Sequence, residues 1–308
     1  FTVRPDDTTP GGHDYRRWGT GWWWQNTRLS YYAAYAAGDF DLARPFLDMY
    51  EAALPLRKFA TKKYFGFEDA AYFIECAYSN GEAFPEVYGT QLWSEREDKL
   101  QASGWHRWEW VGGLELSLFM LNYALYTEDD NYLKTVAIPT SNAVLRFFKG
   151  FYKIDAATGK LRMTPSQALE TWWECENPST EISGIRAVIE ALQALPEEQT
   201  KAEDREFWAE MLAITPEIPT LKTDDGAIAL APAAKFAQLH NVETPELYAV
   251  FPFRQFAFEK PNADWAKVAL EKRLNKQKGG WSQDPLFYSY LGLTEGAREH
   301  VLVRARTK

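Results

Sequence analysis

Apolar residues recur at helical spacing along most of the chain, and polar or glycine-containing breaks divide them into pairs. A segment capped at Asn26 or Thr27 runs to about Ala37, where Gly38 ends it; Asp39 then opens a second helix through Leu42, Phe46, Met49 and Leu56. Gly112–Tyr126 and Asn131–Phe151 repeat the pattern around the polar turn Thr-Glu-Asp-Asp. Ser179–Leu195 and Lys201–Ile214 make a third pair, divided by Pro196-Glu197-Glu198. Pro245–Phe256 with Asn262–Leu274, and Asp284–Leu291 with Glu295–Arg304, make a fourth and a fifth. Elsewhere the pattern weakens. Phe1–Gly21 reads as a loop, Lys62–Ser103 is irregular with a short helix expected over Asp69–Tyr78, and Thr220–Leu230 holds a strand or only a loop.

Five helical hairpins at irregular intervals predict an all-α fold closed into a toroid, since an open solenoid would keep a fixed repeat. Closure commonly takes six hairpins. The expected architecture is therefore an (α/α)6 toroid whose first hairpin is absent from this chain, with residues 1–308 as a single domain cut from a longer parent. Parallel inner helices would bring the segments that lead into them to one mouth. Those segments carry Gln25 and Asn26, Trp105 to Trp110, Glu170, Glu246 and Trp281.

Composition narrows what that mouth can bind. The chain has 13 Trp, 16 Tyr and 19 Phe, more than packing needs, which points to a stacking surface. A net charge of -9 and a pI near 5.2 leave no basic stripe to displace counterions, so nucleic acid is not an expected partner. Neutral sugars fit better, because their C–H faces stack on rings while their hydroxyls pair with Asp, Glu, Arg and Gln. Four histidines without a His-Glu-x-x-His motif, and Cys76 and Cys175 without metal spacing, predict a mechanism with no metal and no cofactor. No apolar run is long enough to span a bilayer, so no membrane partner is expected.

Glu170 is the candidate proton donor. Set between Leu169 and Thr171-Trp172-Trp173, it loses hydration, which favours the protonated form that a general acid requires. The plainer alternative is a solvated glutamate beside a hydrophobic plug. Asp14, Arg17 and Trp18 either line a sugar pocket or clasp the N-terminal loop through ion pairs. His106 and Arg107 offer a polar grip among Trp105, Trp108 and Trp110, although a structural histidine fits the same pattern. Glu86 is a candidate for the pocket rim, and Glu181 either binds a hydroxyl or favours the helix dipole. Trp24, Gln25, Arg28, Trp172 and Trp281 complete the residues expected to meet substrate, whereas Trp208 and Trp265 are expected in outer-helix packing.

Several of these stretches resemble one family. Residues 26–32, NTRLSYY, are similar to the asparagine motif of the family 95 glycoside hydrolases, the α-L-fucosidases and their relatives. Residues 104–113, GWHRWEWVGG, resemble their Trp- and Gly-rich approach to an inner helix, and TPSQALE at 164–170 resembles their segment ending in the general acid. LYAVFP at 247–252 and GWS at 280–282 follow in the same order. DYRRWG, WWWQNTRL, FPE, ALETWW and ELYAVFPFR are also similar to a bacterial group of the same six-hairpin glycosidase superfamily.

The resemblance implies an inverting exo-glycosidase acting on a neutral sugar at the end of a plant or host glycan. Glu170 would protonate the leaving oxygen while Asn26 positions a water on the opposite face. An amide is a weak base, so the family assists it with a carboxylate. Here the tail departs from the pattern, reading KQKGGWSQD, and Asp284 or Glu246 is the replacement left open; Asp284 serves equally well as an N-cap. The acid and base carboxyls of an inverting enzyme stand roughly 6.5–9.5 Å apart. The resemblance further implies an upstream β-sandwich domain packed against this one, and a periplasmic or extracellular parent. Two rival classes remain: a carbohydrate-binding toroid that lost its chemistry, and a polysaccharide lyase on a similar fold, which the negative charge disfavours.

Overall fold

The structure, a computed structural model, describes residues 21–83, 104–276 and 282–306. Helices dominate them. The first hairpin is α1 (Trp24–Ala37) and α2 (Phe40–Phe65), joined at Gly38, whose φ of 78° suits a residue without a Cβ. Next come α3 (Val111–Thr127) and α4 (Asp130–Tyr132), the latter continuing through a π-helical turn at Leu133–Ala137 into α5 (Ile138–Phe151). The third pair is α6 (Ser179–Gln193) and α7 (Ala202–Ile214). The chain continues with α8 (Ala263–Lys272), α9 (Asp284–Tyr290) and α10 (Thr294–Arg306).

Burial sorts these helices into two rings. α3 is buried without a break from Val111 to Ser117, so it has no face for water and takes an inner place against α1, α5 and α6. α6 is buried from Ser179 to Ile185 in the same way. The two approach closely at Gly184, where a Cβ would stand 2.8 Å from carbons of Leu114 and Phe253. α2 instead buries one stripe, Ala43, Phe46, Leu47, Tyr50, Ala53, Arg57, Ala60 and Thr61, at the spacing of an outer helix. Trp208 of outer α7 is fully buried and donates its Nε1–H to Asn142 of α5 at 2.7 Å. Trp265 of α8 packs on a second apolar cluster, built from Leu230, Leu247, Phe251, Leu270 and Phe287. Alternating inner and outer helices make the fold an all-α hairpin toroid.

Three stretches differ from the helices that spacing predicts. α2 runs past Leu56 to Phe65, because its buried stripe continues: Arg57 lies over the Tyr72 ring and the Thr61 hydroxyl accepts the Tyr72 N–H at 3.1 Å. Asp69–Tyr78 is not helical: Asp69 turns at a φ of 49°, and within the stretch only Cys76–Ala77 is a strand. Its residues from Ala70 to Ala77 are buried throughout, a pattern in which helix and strand look alike in sequence. Pro245–Phe256 is a coil of turns after one 3-10 turn at Pro245–Leu247, since Pro252 has no N–H to donate and Arg254 adopts a φ of 46°.

Short strands fill the approaches to the inner helices. β1 (Trp22–Trp23) pairs with β2 (Cys76–Ala77) at the start of α1. β3 (Lys153–Asp155) pairs with β4 (Lys160–Arg162), and β5 (Ser166–Ala168) pairs with β6 (Trp172–Pro178), which leads directly into α6. Thr220–Leu230 is a hairpin of β7 (Thr220–Lys222) and β8 (Ile228–Leu230). β9 (Ala233–Lys235) and β10 (Gln238–Leu239) both join β6, completing an antiparallel four-stranded sheet with β5.

Candidate active site

Glu170 sits at the tip of the β5–β6 hairpin. Ala168 pairs with Trp172, so Leu169, Glu170 and Thr171 form the whole turn. Ser166, Gln167, Ala168 and Leu169 are all buried and root the hairpin, and Leu169 holds a left-handed φ of 53°. The turn therefore stands on a packed base while the Glu170 side chain keeps 18% of its exposure. Gln167 clamps the neighbouring loop to this hairpin, donating its amide to the Trp105 carbonyl and accepting the Trp108 N–H at 3.2 Å. That clamp carries His106 to Glu170.

The carboxylate is held from two sides. Glu170 Oε1 lies 2.9 Å from Nε2 of the buried His106, and Oε2 accepts from Asn241 Nδ2 at 2.9 Å. On its other edge His106 presents Nδ1 to the Cys76 sulfur at 3.7 Å, with the Trp23 ring edge-on at 5.2 Å. Trp173 donates its Nε1–H to the Glu170 carbonyl at 3.0 Å, stacks on His240 at 3.6 Å and meets Trp105 edge-on at 5.1 Å.

Three further carboxylates, absent from the sequence reading, lie within electrostatic reach of Glu170. Glu75 accepts the Gln25 N–H at 2.7 Å, and its carbonyl accepts the Trp24 N–H. These two bonds start α1 at Trp24, ahead of the expected cap at Asn26 or Thr27. Burial pushes the Glu75 carboxyl well up, and the charges of Glu170 and Glu115 add to the shift. Glu109 is 1% exposed with no partner on either carboxylate oxygen; burial, then Glu75, Glu243 and Glu170, push it well up. Glu243 accepts from the Thr171 hydroxyl at 3.0 Å and from the Gln25 side chain, and burial beside Glu170 raises it to about 7. The signal that selects Glu170, a carboxylate inside an apolar or aromatic run, is present at Phe73-Ile74-Glu75-Cys76 and Trp108-Glu109-Trp110 and would have found two of the three.

Of the residues expected at the mouth, the structure gathers Gln25, His106, Trp105 and Glu170, with Asn26 half-buried on the same first turn of α1 as Gln25. Others belong elsewhere. Trp24 and Trp110 are core residues, the first stacked on Phe46 and the second edge-on to Phe147, so neither presents a face to sugar. Arg28 is fully buried, ion-paired with Glu115 and bonded to the Gln25 carbonyl and the Tyr248 hydroxyl. Asp284 is buried against Arg273 and Ser282, with His300 at 3.9 Å, and these contacts are with its own C-terminal region. Glu181 is buried in the first turn of α6, bonded to Thr180, and raised by burial to about 8. Arg107 lies over the Trp108 ring. Trp172 and Glu246 line a neighbouring cavity of about 420 Å³, where burial raises Glu246 to about 7. Asp14, Arg17, Trp18, Glu86 and Trp281 lie outside the described residues.

Among the described residues, no His, Cys, Asp and Glu side chains are grouped so that they could hold a metal ion. No described helix is long and apolar enough to cross a membrane. What the arrangement offers is proton transfer: a partly exposed carboxyl with two hydrogen-bond partners, among other carboxyls that burial pushes toward their protonated forms.

Comparison with curated proteins found no match. The model of the glycosyl hydrolase family 95 catalytic domain matches residues 15–308. That span takes in almost the whole chain, including every helix described above and the Glu170 hairpin, and the chain therefore belongs to glycosyl hydrolase family 95, as a glycoside hydrolase catalytic domain.

Proposed function

We propose that this domain is an inverting exo-glycosidase that releases a terminal neutral sugar, with Glu170 as general acid. The observation that carries the reading is the Glu170 carboxyl itself, at a hairpin tip between His106 and Asn241 with one edge open. With the proton on Oε1, the O–H donates to Nε2 of His106 in its Nδ1–H tautomer, while Asn241 donates to Oε2. As the glycosidic C–O bond breaks, that proton passes to the departing oxygen. A water held by Asn26 adds to the anomeric carbon from the opposite face and gives its proton to a carboxylate.

For that carboxylate, Glu243 is a better choice than Asp284 or Glu246. It is hydrogen-bonded to Gln25, the neighbour of Asn26, and feels the charge of Glu170, whereas Asp284 is tied to Arg273 and Glu246 has Arg273 as its charged neighbour. The pKa of about 7 at Glu243 also favours a second reading, with the two roles exchanged so that Glu243 donates and Glu170 activates water.

Hydrolysis of a panel of aryl and oligosaccharide glycosides, with the product anomer followed by NMR, tests both. An inverted product, lost in Glu170→Gln and recovered with a glycosyl fluoride that needs no proton, supports Glu170 as the acid. Recovery by fluoride in Glu243→Gln instead exchanges the roles. Retention of configuration, or full activity in both variants, overturns the mechanism.

A further inference from the structure

The mechanism above needs a proton on Glu170, and His106 is the base in contact with it. Nε2 of His106 lies 2.9 Å from Glu170 Oε1, and the imidazole side chain is 0% exposed, so a proton that moved onto Nε2 would be lost to the reaction. What one ring nitrogen of a histidine does depends on the partner of the other. A carboxylate at Nδ1 would favour the imidazolium and leave Glu170 ionised. Here Nδ1 faces the Cys76 sulfur at 3.7 Å.

The fold delivers that sulfur. Cys76 pairs with Trp23 across the β1–β2 ladder and is 1% exposed, and the Trp23 ring closes edge-on to the imidazole at 5.2 Å. Burial, then the charges of Glu75, Glu109 and Glu170, push the thiol well up, so the sulfur brings no negative charge to the ring. The nearby carboxyls do not supply one in its place. Glu75, one residue back, turns its carboxyl to the Gln25 N–H, and burial holds Glu109 and Glu243 toward their protonated forms. Of the cations, Arg107 lies over the Trp108 ring and Arg28 is paired with Glu115.

We propose that Cys76 is a positioning residue of this site: as a neutral partner of Nδ1, it keeps His106 uncharged. A thiol accepts and donates hydrogen bonds weakly, so it holds the ring in place without making it a stronger base. The catalytic consequence rests on the reading of Glu170 as general acid, although the charge of His106 can be measured without that reading. With the ring uncharged and Nδ1 protonated, the proton in the contact between the two side chains stays on Oε1 and passes to the leaving oxygen as the glycosidic bond breaks. With the ring an imidazolium, the same proton sits on the buried Nε2, and Glu170 has none to give.

Long-range proton–nitrogen correlation spectra of the imidazoles, recorded on the whole chain near neutral pH and assigned through the backbone, show which ring nitrogens carry protons. The wild type should show an uncharged His106 protonated on Nδ1. Cys76→Ser, which keeps a neutral partner, should leave that state and the turnover little changed. Cys76→Asp should convert the ring to an imidazolium and lower kcat on an oligosaccharide cleaved by the wild type by about 10²-fold or more, the scale of general-acid catalysis. The matching glycosyl fluoride, which needs no proton, should be turned over as before. An imidazolium in the wild type overturns the proposal without recourse to any variant. So does an uncharged ring in Cys76→Asp, or an equal loss on both substrates, which is what a purely structural part would give. An uncharged wild-type ring with its proton on Nε2 upholds the role of Cys76 and overturns the reading of Glu170 as acid, because Nε2–H then donates to an ionised carboxylate.

Discussion

Arg28→Met should destabilise the domain by about 3–5 kcal/mol, the usual cost of removing one partner from a buried ion pair. Arg28 and Glu115 both have fully buried side chains. The guanidinium also satisfies the Gln25 carbonyl within α1 and the Tyr248 hydroxyl across the ring, so one side chain ties α1, α3 and the turn after Leu247 together. Methionine fills most of the volume and leaves Glu115 without a counter-charge. Domains of this kind are stable by only about 5–15 kcal/mol, so the loss takes a large fraction of the whole. Urea unfolding, followed by tryptophan fluorescence with the slope held as a check on two-state behaviour, measures it. The companion variant Arg28→Met/Glu115→Leu sharpens the argument. Burial pushes Glu115 up even with Arg28 beside it, which shows a pair whose desolvation is incompletely offset. Removing both charges should therefore recover stability to within about 1 kcal/mol of the parent. A cost below about 1 kcal/mol for Arg28→Met, or a double variant as unstable as the two single losses summed, would refute this account.

Gly184→Ala should cost about 1–3 kcal/mol in thermal or urea unfolding, because its Cβ would meet Leu114 and Phe253 where neither can retreat; an unchanged midpoint would mean that α3 and α6 pack less tightly than described. Glu181 governs a pH effect. Its folded pKa of about 8 stands above the usual carboxylate value, so the folded state keeps a proton that the unfolded chain releases. Stability from this group is complete at pH values below the unfolded pKa and is lost as pH rises from about 5 to 8, by about 1.4 kcal/mol per unit. Glu181→Gln should flatten that decline, and an unaltered slope of unfolding free energy against pH would exclude Glu181 as its source.

The sequence carried the helical hairpins well because their evidence is periodic and redundant. Gly112–Tyr126 and Ser179–Leu195 each offer several turns of agreeing residues, and α3 and α6 occupy them almost to the boundary. Where the evidence was a short apolar run, as in Ala70–Ala77, helix and strand could not be separated; the run is irregular as far as Glu75, and only Cys76 and Ala77 pair as a strand, with Trp23 and Trp22. The turns at 245–256 depend on Pro252 and on contacts distant in sequence, which no local pattern records. At the site, Glu170 was legible from its aromatic neighbours. His106 was legible only as a polar residue among rings, since its contact with Glu170 spans 64 positions. Asn241 and Glu243 sit in an ordinary polar loop, and nothing before folding marks them as partners of a hairpin seventy residues upstream. Trp24 and Trp110 show the opposite error, in which aromatic residues near the site motifs turn out to be the packing beneath it.

The left-handed backbone of Leu169 has a consequence for anyone altering this domain. A buried leucine at a φ of 53° carries roughly 1–2 kcal/mol of strain that glycine would relieve. Glycine there would still lose stability, because removing a buried core leucine typically costs about 2–5 kcal/mol. It would also remove the side chain that anchors the turn and fixes the direction in which the next residue projects. Leu169→Gly should therefore melt earlier as well as work less well, so the strained residue persists because the packing of its side chain outweighs the conformation it is held in.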